Sequence, residues 1–158
     1  MRVFYVFKIK EEFKYLYKDN PSSLYNLLKQ IYYLGSDDIS YGENIFHQLT
    51  DEIDSDSLDR NLFIKLHKEI PYSKRDNVHI MNNLYKDEVS RLIVKRSYIK
   101  LETEQYNSSF FKVLRNYSSN YFICDFKNQT YFFLNDILNN DRPKLSAFAW
   151  YRLFIMIQ

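Results

Sequence analysis

The side chains of this chain that could shuttle a proton, hold a metal or attack an electrophile are His47, His67, His79, Cys124 and the neighbouring acids Glu11-Glu12, Asp37-Asp38, Asp51-Glu52 and Asp87-Glu88. A zinc site built from local sequence needs ligands at spacings such as HExxH or CxxC, which present two of them from one helix face or turn. No such spacing occurs, and the three histidines fall on separate predicted elements, so they read as surface or hydrogen-bonded side chains. Cys124 lies inside the apolar run Tyr121–Phe126, where a thiol behaves as a small buried hydrophobe with a raised pKa. Adjacent acids do not face one another on a helix, and these occupy helix starts and turns, so they read as solvated faces or caps. With two glycines in all, Gly35 and Gly42, neither a GxGxxG loop nor a P-loop can be built. No catalytic residue, metal or cofactor is expected. An enzyme would need a deep pocket in which His47, His67 or His79 meets a carboxylate.

Composition points the same way. At 158 residues the chain suits one domain. Its 46% hydrophobic and 27% charged residues, with a mean hydropathy of −0.47, fit a water-soluble fold. Fifteen Tyr and thirteen Phe exceed what one small core requires. Two readings stay open: half-exposed rings at an interface, where Tyr is enriched, or a bias in residue usage. The net charge is +2, with both signs interspersed, so nucleic acid binding is not expected. A single cysteine forms no internal disulfide, and no secretory signal precedes Arg2, so a reducing cytoplasm is the expected location.

The elements that would position any site are readable in most of the chain. Val3 to Ile9 is a strand apolar on both alternating faces, as a central strand should be. It runs without Gly or Pro into Lys10–Tyr17, a short helix whose Phe13 and Tyr17, four apart, share a face. If that face looks inward it is core, and if outward it is a partner surface. Asn20 as N-cap and Pro21 at the first helical position open a helix carrying Leu24, Leu27, Leu28, Ile31 and Tyr32, with Gly35 as its stop. Ser40-Tyr41-Gly42-Glu43 resembles a capping box, followed by a stripe of Ile45, Phe46, Leu49 and Ile53. An acidic, serine-rich loop ending in a capping Ser57 precedes Leu58, Leu62, Leu66 and Ile70, which recur at helical spacing until Pro71, although Leu62, Ile64 and Leu66 also alternate as a strand would.

Residues 71–90 show no single period, and Val78, Ile80 and Leu84 fit helix or strand. Leu92-Ile93-Val94 and Tyr98–Glu104 then read as strands, the second with one solvated face. Asn107-Ser108-Ser109 caps a helix bearing Phe110, Phe111, Val113, Leu114 and Tyr117, and Tyr121–Phe126 with Tyr131–Leu134 forms an antiparallel hairpin. The fold class is therefore α+β, a single domain with a mixed, mostly antiparallel sheet packed by helices. Leu145–Ile157 carries one charge in thirteen residues, but as a helix it would span only about 20 Å, too short to cross a membrane. Packing on the domain is its default reading, with an interfacial anchor or a dimer contact as the others.

Two blocks of this chain together resemble the SirA family, the sporulation inhibitor of replication of endospore-forming bacteria. The first is the aromatic strand followed by Ile9-Lys10-Glu11-Glu12-Phe13 and then Tyr17. The second is Phe110-Phe111-Lys112-Val113-Leu114-Arg115, then Asp125-Phe126, then Tyr131, Leu134 and Asn135. The chain departs from the family where Tyr131-Phe132-Phe133-Leu134-Asn135-Asp136 replaces Tyr-Gly-Trp-Leu-Asn-Pro, and where Ser109 replaces the acid usual before the Phe pair. The resemblance implies a SirA-like domain over residues 1–138 and leaves 139–158 as an apolar tail without an assigned role. It also implies a non-catalytic inhibitor of replication initiation during sporulation, which binds the N-terminal domain (domain I) of the initiator DnaA through its first helix and a following one. By position, Phe13 and Tyr17 match the aromatic contact pair, and Gln48 and Leu49 fall where the family has Tyr-Ile, with Ile45 one turn earlier. Such anchors are expected to be exposed in the free protein. An adaptor for another cytoplasmic protein is the alternative.

Overall fold

A strand that is apolar on both faces must lie inside a sheet covered on both sides, and the first strand does. The computed structural model describes residues 1–34, 38–104 and 108–136. In chain order the elements are β1 (Arg2–Lys8), α1 (Glu11–Tyr17), α2 (Pro21–Tyr32), α3 (Ile39–Leu49), α4 (Ser55–Leu66), β2 (Tyr72–Arg75) and β3 (Val78–Asn83). There follow β4 (Glu88–Val94), β5 (Ile99–Thr103), α5 (Ser109–Arg115), β6 (Tyr121–Asp125), β7 (Thr130–Phe133) and a single 3-10 turn, Leu134–Asp136. The sheet runs β2-β3-β4-β5-β1-β6-β7, and every neighbouring pair is antiparallel, so the sheet is uniform rather than mixed.

The alternation of β1 divides the core in two. Phe4 and Val6 join Leu92, Val94, Ile99 and Leu101 beneath α4 and α5. Phe7 joins Phe122, Cys124 and Phe133 beneath α2 and the end of α3, with Ile9 just past the strand in the same cluster. Each fully buried Phe, Leu or Ile contributes about 1.5–3 kcal/mol over its exposed state, so β1 anchors both layers at once.

Several local expectations change. Asn20 precedes α2 as expected, but its Oδ1 accepts from Ser22 Oγ (2.6 Å) and caps no backbone N–H. The helix α3 begins at Ile39, so Ser40 and Glu43 lie within it and form no capping box. Gly42 is buried there, and an added Cβ would fall 2.3 Å from Leu34 Cδ1. That glycine lets α3 close on the end of α2. Ile53 is off the helix, because Thr50 turns extended, and it packs on the α4–α5 side instead. Asp54, not Ser57, caps α4, its Oδ1 accepting from Ser57 N (3.2 Å). That helix ends at Leu66, where His67 Nδ1 donates to the Phe63 and Ile64 carbonyls (3.1 and 2.8 Å). Ile70, beyond this stop, is 100% exposed.

Residues 71–90 are a meander of β2, β3 and the start of β4. Its turns, like that between β6 and β7, place Asp76, Asp87 and Gln129 at φ of 55°, 52° and 54°, where glycine would be at ease. The Gly35 stop, Asp37, Asn107 and the 139–158 tail lie outside the described residues.

Candidate partner-binding face

The helix α1 is built with little help from its own sequence. Seven residues are too few for an isolated helix, and Lys10 at its N-cap makes no side-chain capping bond. The Lys10 carbonyl takes the Phe13 and Lys14 amides (both 3.0 Å), and Glu11 and Glu12 suit the positive end of the helix dipole. Neighbours fix its beginning. Glu11 Oε2 accepts from Asn120 Nδ2 (3.0 Å), Ile9 N donates to Asn120 O (3.0 Å), and Lys10 N donates to Leu49 O (3.0 Å). Asp51 N donates to Lys8 O (2.8 Å), and Ile9 bridges Thr50. The C-terminus of α3 is thereby lashed to the β1–α1 junction.

The residues predicted for a contact face are distributed unevenly over this joint. Phe13 and Tyr17 are half-buried, leaning on the second core cluster, rather than standing free in solvent. On α3, Gln48 is exposed and Ile45 half-buried, whereas Leu49 is buried in that same cluster. Leu49 therefore supports the joint through packing and its carbonyl, and its side chain is not displayed. Sequence reasoning missed Tyr15 and Leu16, which are 71% and 66% exposed on α1. No residue of α1 is fully buried although four of its seven are large and apolar or aromatic. The run Phe13-Lys14-Tyr15-Leu16-Tyr17 was the available signal, because no single helical face can bury rings at consecutive positions.

Beside this joint lies a cleft of about 390 Å³ between α2, α3 and the sheet, walled by Tyr5, Phe7, Tyr32, Phe46 and Tyr98. Tyr5 meets Tyr32, Tyr98 and Phe126 with ring centroids 5.4, 5.6 and 5.7 Å apart. Burial, and next the hydrogen bond with Tyr32, push the Tyr5 pKa up, so this ring keeps its proton.

The residues first singled out for chemistry do not assemble a site. His79 is buried between Tyr72, whose hydroxyl meets Nδ1 at 2.7 Å, and Asp59, whose Oδ1 meets Nε2 at 2.5 Å. With Asp59 ionised and paired to Lys74 (3.2 Å), Nε2 carries the proton and the Tyr72 hydroxyl donates to Nδ1. Burial lowers the His79 pKa against the opposing pull of Asp59, and burial pushes Tyr72 up to about 12. The chain of bonds thus ends in a shielded, protonated phenol, which is a latch between α4 and the sheet and not a nucleophile. His47 on α3 and His67 at the C-terminal cap of α4 are exposed. Burial raises the Cys124 thiol well above its usual range.

Among the described residues no group of three His, Cys, Asp or Glu side chains could hold a metal, and no helix is long and apolar enough to cross a membrane.

One acid pair is corrected. Glu88 is not solvated but 2% exposed, accepting from Ser90 Oγ (2.8 Å), Ser108 Oγ (3.0 Å), and both the amide (2.8 Å) and hydroxyl of Ser109. It caps α5 from a strand twenty residues away. The paired serines at 108 and 109 were its only trace in the sequence.

The family model described as sporulation inhibitor of replication protein SirA matches residues 2–138. No individual curated protein matches the chain.

Proposed function

The chain belongs to the SirA family, and on that footing we propose that it inhibits the initiation of replication during sporulation by binding the N-terminal domain (domain I) of the initiator DnaA in the cytoplasm. The inhibition is occlusion. The α1–α3 joint docks on the small initiator domain and covers a surface that other initiation factors, or neighbouring initiators, require. Phe13 and Tyr17 are the anchors, Tyr15 and Leu16 extend the contact along α1, and Ile45 and Gln48 supply its edge from α3. The observation that carries this reading is the helix itself, with four large side chains and not one of them fully buried. Half-buried rings suit the role, because their rotamers are already restricted before binding and less entropy is lost on docking. No covalent step is involved.

The test is titration of the isolated N-terminal domain of DnaA with wild-type protein and with Phe13→Ala. Loss of about 2–4 kcal/mol, roughly 30- to 1,000-fold in Kd, is expected, with the variant still folded by circular dichroism. Equal affinity, or a variant that unfolds under the assay conditions, defeats the assignment of Phe13. Wild-type protein that ignores the initiator domain defeats the choice of partner and returns the adaptor reading.

A further inference from the structure

The side of the sheet that carries Tyr5 and Phe7 is roofed over only part of its width. The helices α1, α2 and α3 lie on the β1, β6 and β7 half, and the second core cluster stops there. On β2 to β5 the same side presents a short row of Asn82 and Val89 and two longer rows across the strands. Pairing register aligns Ser73, Ile80, Arg91, Glu102 and Val3 in one, and Arg75, Val78, Ile93, Lys100 and Tyr5 in the other. Val78, Ile80 and Ile93 belong to neither core cluster and are only half-buried. Between the cations they line a depression of about 300 Å³.

The charge on this surface is one-sided. Arg75, Arg91 and Lys100 face the single carboxylate of Glu102, which pairs with Lys100 at 3.3 Å. Among the described residues no carboxylate forms an ion pair with Arg75 or Arg91. Strands lie about 4.8 Å apart, so Arg75 on β2 and Lys100 on β5 stand about 14 Å from each other with aliphatic side chains between. The bed holds branched aliphatic side chains where single-stranded nucleic acid would need aromatic platforms.

We propose that this open half-sheet is a second docking surface, separate from the α1–α3 joint, and that it takes an acidic amphipathic helix of a protein partner. Carboxylates eleven residues apart on such a helix share one face and, at 1.5 Å per residue, stand about 16 Å apart, within side-chain reach of both Arg75 and Lys100; a third between them on that face reaches Arg91, and the partner's apolar side chains fill the bed over Val78, Ile80 and Ile93. Arginine forks suit carboxylates at a surface of this kind. With the two faces on different parts of the sheet, one molecule could hold two partners.

The probe is a labelled synthetic helix with glutamates at that spacing and leucines between them, followed by fluorescence anisotropy against the full-length chain. A lysine-for-glutamate version and a single-stranded oligonucleotide serve as competitors. The acidic helix should bind, weaken at least about tenfold with Arg75→Glu/Arg91→Glu and with rising salt, and weaken with Ile93→Ser. Phe13→Ala should leave it unchanged, which separates this surface from the α1 face whatever becomes of the initiator proposal. Absence of binding, equal binding by the folded double variant, preference for the oligonucleotide, or loss on Phe13→Ala each overturns the assignment.

Discussion

The helices α1 and α5 are both seven residues long and both rich in aromatic and aliphatic side chains, Glu-Glu-Phe-Lys-Tyr-Leu-Tyr against Ser-Phe-Phe-Lys-Val-Leu-Arg. One buries nothing completely, and the other buries Phe110, Phe111, Val113 and Leu114. Composition does not separate them; their attachments do. At α5, Ser108 Oγ accepts from Phe110 N (3.2 Å) and the Glu88 carboxylate takes the Ser109 amide, so its orphan donors are met inside the protein and its apolar face can be drawn fully into the core. At α1 the ties sit at the N-terminal joint, and only Phe13 and Tyr17 of its large side chains pack, partly buried, against the second cluster. A short helix held by its end is free to show its sides. The difference between a helix drawn into the core and one left at the surface is thus set by residues far away in sequence, Glu88 for one and Leu49 and Asn120 for the other.

The sharpest way to break this contrast is to truncate one ring on each helix. Phe111 packs edge-on against Phe4 and Phe132, with centroids 5.6 and 5.8 Å apart, so Phe111→Ala should cost about 3–5 kcal/mol in urea unfolding. Phe13→Ala should cost about 1 kcal/mol in the same measurement, as its ring is only half-buried. Equal losses would erase the distinction.

Next in size is the comparison of acids. Removing the buried charge with Glu88→Gln should destabilise the fold by about 2–3 kcal/mol, because serine hydroxyls and an amide are left facing a weaker acceptor. Glu11→Gln on the exposed start of α1 should stay within about 0.5 kcal/mol.

The smallest effect concerns pH. Burial holds His79 below its ordinary value of 6.5, so the unfolded chain takes up the proton first as pH falls. Stability contributed by keeping this ring neutral is therefore fully present above pH 6.5 and declines below it. Thermal melts at pH 7.5 and 5.5 should differ more for wild type than for His79→Gln. Because the latch lies on the side of α4 and α5, α1 should feel acidification only through global unfolding.

How much of this was legible depended on whether the decisive residue was apolar. The two-faced pattern of β1, the stripe of α2 and the closing hairpin follow from hydrophobic alternation and appear where expected. The α1–α3 pairing came from resemblance, since no periodicity links residue 10 to residue 49. Residues 71–90 resisted because their inward positions are partly polar, with His79, Glu88 and Ser90 buried, while Val78 and Ile80 look outward. Such a strand inverts the usual code, and its aspartate turns hide the hairpins that glycine would have announced. Caps failed by one to three residues where several acids and serines compete, as at Asp54 and Ser57. The exposure of Tyr15 and Leu16 was readable from consecutive rings but was overshadowed by the pair at i and i+4.

The strand β1, paired along both edges, is also the first of the sheet to be made. Val6 must wait for Ile99 and Lys8 for Tyr121 before either edge of β1 is paired, and such long-range antiparallel closure is slow compared with local hairpins. During synthesis the segment that carries α1 therefore leaves the ribosome early and stays without its support until most of the domain has followed. A chain that has not yet reached Asn120 lacks one of the ties that hold the start of α1, so under the binding mode proposed above a nascent copy should be inert until that residue has been made and the joint has closed.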